Sequence, residues 1–423
     1  MKLILVALFL PEGLSFFVGN FRLTLARLLI LVFFTRAIVR YFRAPTRIFV
    51  PSDFFAFATF LWMLLASVVT DGLEGLKGAT MVAVEFVGCY YIVRTTLIAP
   101  NSSVRIIMFT CEVFIIVIAI ALLDPLTGKL FSYEFTKSIT GYTKIAVEEG
   151  LATQSDSLYR NGLIRAMGPL EHSILFGCAC AWFGTLAYFV FPYRFFGWSV
   201  AGFAAVGLWF SQARGAWLAY IIALALSGYS LITNRFPTRW KLIGAAIAVL
   251  LIAVITMSGA PIATLMRLGQ ISPEAAYYRQ AIWETAGPLV IHSPLFGIGS
   301  SWDWQVDPNL YGSTVDAFWL QNSMTYGVPS TLFVLLTMIS PFWRGPLNAS
   351  PYLTPEERRL SSALGIVIVT AIFLGFIVHF WGTCWSLIGI FPALRANLVS
   401  ASALRSKDPQ WARWLRHRRG GST

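Results

Sequence analysis

Charged side chains are scarce in this chain. Asp, Glu, Lys and Arg make up 12% of its 423 residues, hydrophobic residues make up 57%, and the mean hydropathy is +0.68. A soluble domain of that composition would aggregate, so the soluble globular classes are excluded. Cysteine is equally sparse. Cys89, Cys111, Cys178, Cys180 and Cys384 all fall inside apolar runs, and they read as small core hydrophobes, neither a disulfide framework nor a metal cluster. Cys178 and Cys180 lie two apart and so face different sides of a helix. His172, His292, His379 and His417 are too scattered to define a metal site. A Walker loop, a GxGxxG turn, an HExxH helix and a GxSxG elbow are all missing, which removes the common soluble-enzyme chemistries. Internal repeats and low-complexity tracts are missing too. The net charge of +12 comes from basic residues in short loops and a tail, and implies no nucleic-acid partner.

What is present is a series of apolar stretches of about 20 residues, the length that crosses a bilayer as a helix. The reading is an all-α polytopic membrane protein, a single integral domain over residues 1–423, with about twelve spans. They fall at 2–18, 22–41, 53–71, 78–98, 104–123, 172–191, 196–211, 214–233, 241–258, 317–341, 361–380 and 382–399. The start, MKLILVALFL, imitates a signal peptide, but Pro11 and Glu12 stand where a small-residue cleavage site is expected, so it is taken as a short first span. Alternating sides from a cytoplasmic N-terminus puts Arg36, Arg40, Arg43 and Arg47 inside. Arg194, Arg235, Arg239, Lys241, Arg344, Arg358 and Arg359 follow them, in keeping with the lysine and arginine bias of cytoplasmic loops. The basic tail, 400–423, also lands inside. Its Trp411 and Trp414 among arginines suit either a helix lying on anionic headgroups or a solvated tail.

Two longer loops, about 124–171 and 259–316, then fall outside, and both are richer in ionisable residues than their surroundings. The first brings Arg160, Arg165, Glu171 and His172 to the start of a span. The second contains Glu274–Ile291, which suits an amphipathic helix with Tyr278, Ile282 and Trp283 on one side. Arg279 there either serves a ligand or pairs locally with Glu284. Arg214, in SQARGAWLAY, stands between two apolar runs on the outer face, where the inside-positive bias does not explain it. Ionisable groups near membrane depth cost about 2.5–3.5 kcal/mol on insertion scales and mark substrate paths. A guanidinium suits the two-point grip of a phosphate, with Gly215 allowing close backbone approach. The plainer alternative is an arginine snorkelling to the interface.

Four segments carry a resemblance to the O-antigen ligase and polymerase superfamily, which includes bacterial exopolysaccharide polymerases. RAMGPLEHSILFG is similar to the run that opens the span after the family's first outer loop. SQARGAW resembles its S-x-x-R-G-A-W motif, and YYRQAIWETAGPLVIHSPLFGIG its Y-R-x-x-x-W … P-L-F-G-I-G run. VDAFWLQNSMTYGVPS is similar to the segment closing the second loop. Their order covers roughly residues 160–335. Glu85 and Arg94 in VEFVGCYYIVRTTL are similar to a Glu/Arg-bearing span of exopolysaccharide relatives.

The resemblance implies a GT-C-like membrane glycosyltransferase in the bacterial inner membrane, with both termini cytoplasmic and the active site facing the periplasm. It would take an oligosaccharide from undecaprenyl pyrophosphate and join it to an acceptor glycan, needing neither cofactor nor metal. Membrane lipids, a chain-length regulator and export proteins are the further partners implied. Arg214 and Arg279 would bind and stabilise the departing pyrophosphate, with Arg160, Arg165, Glu171, Tyr278 and Trp283 around donor and glycan. In the family's ligases a histidine followed by asparagine activates the acceptor hydroxyl. Here Asp316 and Ala317 stand at those positions, which favours a polymerase with Asp316 as base, His172 being the other candidate. O-antigen transfer to lipid A core, a lipid-linked sugar flippase and a structural export subunit are the alternatives. The topology is testable directly. Cysteines placed near Gly150 and Ser300 should react with a membrane-impermeant thiol reagent in intact cells, and one near Asn348 should not; labelling at Asn348 but not Ser300 would invert it.

Overall fold

The computed structural model describes residues 1–18, 21–43, 48–97, 99, 101–155, 157–192, 194–233, 236, 239–258, 264, 273–300, 315–343, 347 and 350–408. Arg47, Arg235, Arg344, Asn348, the tail from 409 and much of the second loop lie outside them. The chain runs α1 (Lys2–Leu8), a hairpin of β1 (Ser15–Val18) and β2 (Phe21–Thr24), α2 (Leu25–Arg43) and α3 (Pro51–Ala83). A π-helical turn, Val84–Gly88, continues α3 into α4 (Cys89–Thr96), and α5 (Ser102–Thr127) follows. The first loop folds as α6 (Phe131–Thr140), α7 (Ile145–Ala152) and a small hairpin of β3 (Tyr159–Arg160) and β4 (Leu163–Ile164). Then come α8 (Ser173–Val190), α9 (Phe195–Ser211), α10 (Arg214–Ile232) and α11 (Arg239–Met257). The rest is α12 (Pro273–His292), α13 (Phe318–Ile339), α14 (Pro355–Leu374) and α15 (Gly382–Arg405).

Among the described residues six helical stretches are long and apolar enough to cross a membrane: Pro51–Thr96, Ser102–Thr127, Ser173–Val190, Trp240–Met257, Phe318–Phe342 and Gly382–Arg405. The chain is a helical, multi-pass membrane protein. One expectation needs correction. The span expected at 2–18 is helical only over Lys2–Leu8, and Glu12 onward turns into the β1–β2 hairpin. Seven residues rise only about 10 Å, and Pro11 cannot continue the helix. The two spans expected at 53–71 and 78–98 lie on either side of a break in the Pro51–Thr96 stretch, where Gly72 takes φ 65°. A 46-residue straight helix would far exceed a bilayer, so the glycine divides it where the hydropathy dips.

The centre belongs to α8 and α15. Every residue of α15 from Thr383 to Ser400 is buried, and α8 buries nearly all of its length. Small residues bring the helices close, as membrane helices need when no water drives them together. A Cβ on Gly389 would strike the Phe86 carbonyl, and there Phe86 stacks on Trp385 with centroids 4.6 Å apart. By contrast α11 faces outward along most of its length, with Val249 67% and Met257 85% exposed. Lipid is the solvent that suits such a surface.

At the end of the bundle where α3 begins, Asp53 and Arg94 form a buried two-point pair. Arg94 Nε reaches one carboxylate oxygen at 2.7 Å and Nη2 the other at 2.8 Å. Tyr90 donates to Asp53 at 2.8 Å, Arg94 donates to Asn397 at 2.7 Å, and Asp53 accepts the Val50 N–H at 2.9 Å. Glu85 pairs instead with Arg27 at 2.6 Å, so the two noted residues of the Glu85–Arg94 stretch serve separate struts. Breaking a buried pair from one side costs about 3–5 kcal/mol, while replacing both partners with apolar groups is often neutral. Asp53→Ala should therefore lower the melting temperature and yield of detergent-solubilised protein, and Asp53→Leu with Arg94→Met should recover most of the loss. A fully stable Asp53→Ala protein would show that the pair is dispensable.

Candidate active site

At the opposite end three stretches of chain converge. The first is the run from Arg160 to His172. Arg165, 2% exposed, donates Nε to the Ser211 carbonyl and Nη1 to the Ser157 carbonyl, each at 3.0 Å. Arg160 donates to the Gln212 carbonyl at 2.7 Å. Both arginines thus hold the short link between α9 and α10, where Gln212 takes φ 50° and Ala166 N–H bonds the Phe210 carbonyl at 3.0 Å. Arg214 is the first residue of α10 and is exposed. Among the described residues no hydrogen bond or ion pair involves its guanidinium. Gly215 explains how α10 comes so near its neighbour: a Cβ there would lie 3.0 Å from Ile377 Cδ1.

Ile377 belongs to the second stretch, residues 375–381. The span expected at 361–380 is helical over Pro355–Leu374, and four consecutive carbonyls beyond Leu374 take donors from other elements. Gly375 accepts from Trp319 N–H at 3.2 Å and Val378 from Phe318 N–H at 3.0 Å. Phe376 accepts from Trp283 Nε1 at 3.4 Å, and Ile377 from Arg279 Nε at 3.0 Å. These bonds bring the third stretch, α12 and the start of α13, onto the strip. The amphipathic helix expected over Glu274–Ile291 is α12; its Ile282 and Ala286 are buried with Val315, Ala317 and Leu320, and Tyr278 and Trp283 pack beside them. Glu284 accepts from Gln280 at 2.8 Å, and among the described residues no Arg279–Glu284 ion pair forms. Arg279 lies instead within charge range of Asp316 and Arg160; burial lowers its proton affinity and Asp316 opposes that. Asp316 is half-buried.

Gly327, expected only as part of the closing motif, takes φ 81° inside α13, and a Cβ there would strike the Leu295 carbonyl. The PLFGIG run docks in that break, with Val328 N–H on the Pro294 carbonyl at 2.8 Å and Ile298 N–H on the Met324 carbonyl at 2.7 Å. The motif fixes the end of the second loop.

His172 caps α8: its Nδ1 accepts the Ile174 N–H at 3.1 Å, which leaves the ring proton on Nε2. Burial, then Arg165, Lys144 and Arg160, push its pKa down to about 3. A neutral imidazole in that tautomer donates from Nε2 and does not accept there, so His172 suits a binding role better than that of a base. Glu171 is a strut as well, accepting from Thr383 N–H at 2.9 Å and Thr383 Oγ1 at 3.1 Å. Among the described residues no cluster of His, Cys, Asp and Glu is arranged to hold a metal ion.

The site is thus an arginine-rich end of a membrane-embedded helical bundle, built from loops that anchor one another through backbone carbonyls. Residues 198–335, a third of the chain, match the family model described as O-antigen ligase, and the match supports the O-antigen ligase and polymerase superfamily. No curated protein matches the chain. The matched segment holds Arg214, Arg279 and Asp316, while Arg160, Arg165 and His172 precede it and the 375–381 strip follows it. That strip, with His379 and Trp381, is absent from the residues the sequence singled out. HFWGT carries no motif, and only its position beyond α14 reveals it.

Burial lifts the Glu171 carboxyl to about 7, above its usual 4.5, despite the two donors from Thr383. The folded protein then holds a proton that the unfolded chain releases above about pH 4.5, so this contribution to stability is lost as pH rises through about 7. The melting temperature should fall between about pH 5 and 8, and Glu171→Gln should flatten that slope. An unchanged slope in Glu171→Gln would assign it to another group.

Proposed function

We propose that the protein is a membrane glycosyltransferase that joins undecaprenyl-pyrophosphate-linked oligosaccharide units into a polysaccharide. The observation that carries this reading is the convergence of two helices, α10 at the residue after Arg214 and α12 at Arg279, on one residue, Ile377. Gly215 abuts its side chain, and Arg279 bonds its carbonyl at 3.0 Å. Arg214 also opens α10, where backbone N–H groups point outward and favour an anion. A pyrophosphate held there leaves with its charge stabilised by fixed guanidinium groups, the chief catalytic need of this displacement. The acceptor hydroxyl attacks the anomeric carbon, the bond from that carbon to the phosphate oxygen breaks, and the electron pair departs on the lipid pyrophosphate. Asp316 receives the hydroxyl proton. No covalent nucleophile is required.

The orientation belongs to the same reading. Arg36, Arg40, Arg358, Arg359 and Arg405 gather at the end opposite the site, and the inside-positive bias supports a site on the periplasmic side of the inner membrane. Asp316 and Ala317 in place of the ligases' histidine and asparagine favour the polymerase. The family description, O-antigen ligase, keeps transfer to lipid A core as the second reading.

Arg214→Lys keeps the charge but loses the planar fork, and Arg279→Ala removes a donor; each should cut polymer yield by about 10²–10³-fold, with lipid-linked units accumulating. Arg214→Ala protein that inserts stably and makes normal polymer would sink the phosphate grip. Asp316→Asn should slow polymerisation as severely, and full activity would place the base elsewhere. Deleting the gene should remove a high-molecular-weight extracellular polysaccharide and leave the lipopolysaccharide ladder intact. The reverse outcome selects the ligase.

A further inference from the structure

A row of rings leads away from Asp316. Phe318 stacks on His379 with centroids 6.2 Å apart and planes 19° apart, and His379 stacks on Trp381 at 5.4 Å and 22°. His172 meets the far side of that row, 6.0 Å from Trp381 in a T-shaped contact. Both imidazoles are half-buried, so each is reachable from the surface, as is Trp381. Clamping between two ring faces fixes the orientation of His379, and its Nδ1 is sealed from solvent without a hydrogen-bond partner, which leaves Nε2 as the nitrogen open to a ligand. His172 Nε2 carries a hydrogen because Nδ1 is occupied by Ile174. Trp381 therefore neighbours both an imidazole that donates and an imidazole nitrogen able to accept. Sugar rings ask for that combination: an apolar face for their C–H groups, and paired donors and acceptors for neighbouring hydroxyls.

We propose that His172, Trp381 and His379 form the subsite for the acceptor sugar ring, with His379 Nε2 accepting from a ring hydroxyl and His172 Nε2–H donating to another. The proposal rests on the glycosyl-transfer reading of the site. Its place in the row supports the acceptor over the donor. His379 is one residue from Val378, whose carbonyl holds Phe318, and Phe318 is two residues from Asp316; Ile377, which Arg279 and Gly215 reach, is one residue further along the strip. A glycan whose pyrophosphate lies on the arginines meets its partner across Asp316.

The test uses membranes from a gene-deletion strain, which accumulate the cell's own lipid-linked units, supplied with the purified full-length protein. Added undecaprenyl pyrophosphate reads the arginine site by inhibition. Trp381→Ala and His379→Ala should each reduce the initial rate of polymer formation by about ten-fold or more, the effect of losing one ring contact or one hydrogen bond to a polar group. Raising the concentration of lipid-linked units should recover most of the rate, a KM effect. The concentration of undecaprenyl pyrophosphate giving half-inhibition should stay at the wild-type value. Trp381→Phe and His379→Gln, milder in shape, should fall between, and they decide the matter where an alanine variant fails to fold. Wild-type rates in the Trp381 and His379 variants overturn the subsite. So does an equal weakening of undecaprenyl pyrophosphate inhibition, which would make the row a support for the arginine site. Failure of undecaprenyl pyrophosphate to inhibit the wild-type protein would instead overturn the glycosyl-transfer reading itself.

Discussion

The site depends on what happens to four carbonyls. When α14 stops at Leu374, Gly375, Phe376, Ile377 and Val378 leave the helical ladder with their acceptors open. Near a membrane, unsatisfied backbone groups are costly, and irregular chain persists only where protein supplies the missing partners. Trp319 N–H, Trp283 Nε1, Arg279 Nε and Phe318 N–H supply them in that order. Two of these donors are backbone groups at the start of α13, which have no intrahelical acceptor of their own. One need answers the other. The same bonds fix α12 and the start of α13 to the strip, and with them Arg279 and Asp316. The placement of Arg279 and Asp316 is thus a by-product of backbone satisfaction, which is why it needs no covalent staple.

The polar groups divide by end. Opposite the site, Asp53, Arg94, Tyr90 and Asn397 bond one another and nearby backbone groups, as buried charge must. That end is locked by an ion pair sealed at 2% and 1% exposure. At the site end the arginines are graded by use. Arg165 and Arg160 tie the α9–α10 link in place, Arg279 divides its nitrogens between a carbonyl and its charged surroundings, and Arg214 stands exposed.

Much of this was legible locally. The apolar runs place α8, α9, α10 and α11 within two residues of their ends, because each is a continuous stretch with a polar or glycine-bearing boundary. The period of α12 is readable for the same reason: Ile282 and Ala286 recur on the face that meets α13. Arg214 is visible because an unexplained charge between apolar runs is rare. The failures are non-local. MKLILVALFL has the composition of a span, but Pro11 and the pairing of Arg22 with Glu12 at 2.8 Å favour a hairpin. Arg165 reads as a ligand group, and its bracing of the α9–α10 link is not legible, since the Ser211 carbonyl it holds lies 46 residues away. His379 carries no motif and acquires meaning only when α14 and α15 bring HFWGT beside Asp316.

The snorkelling alternative for Arg214 can be weighed on helix electrostatics. A cation is favoured at a helix C-terminus and disfavoured at the first turn, each by about 0.3–1 kcal/mol at exposed positions. An arginine kept only to anchor α10 at an interface would do better at the other end, near Ile232. At the first residue of α10 its charge adds to the positive end of the helix, and among the described residues no carboxylate offsets it. Arg160 and Arg165 lie across the same link, adding to the positive field. Local rules are broken where function demands it, and a guanidinium added to the positive end of a helix suits an anion. On the proposed reading that anion is a lipid-linked pyrophosphate.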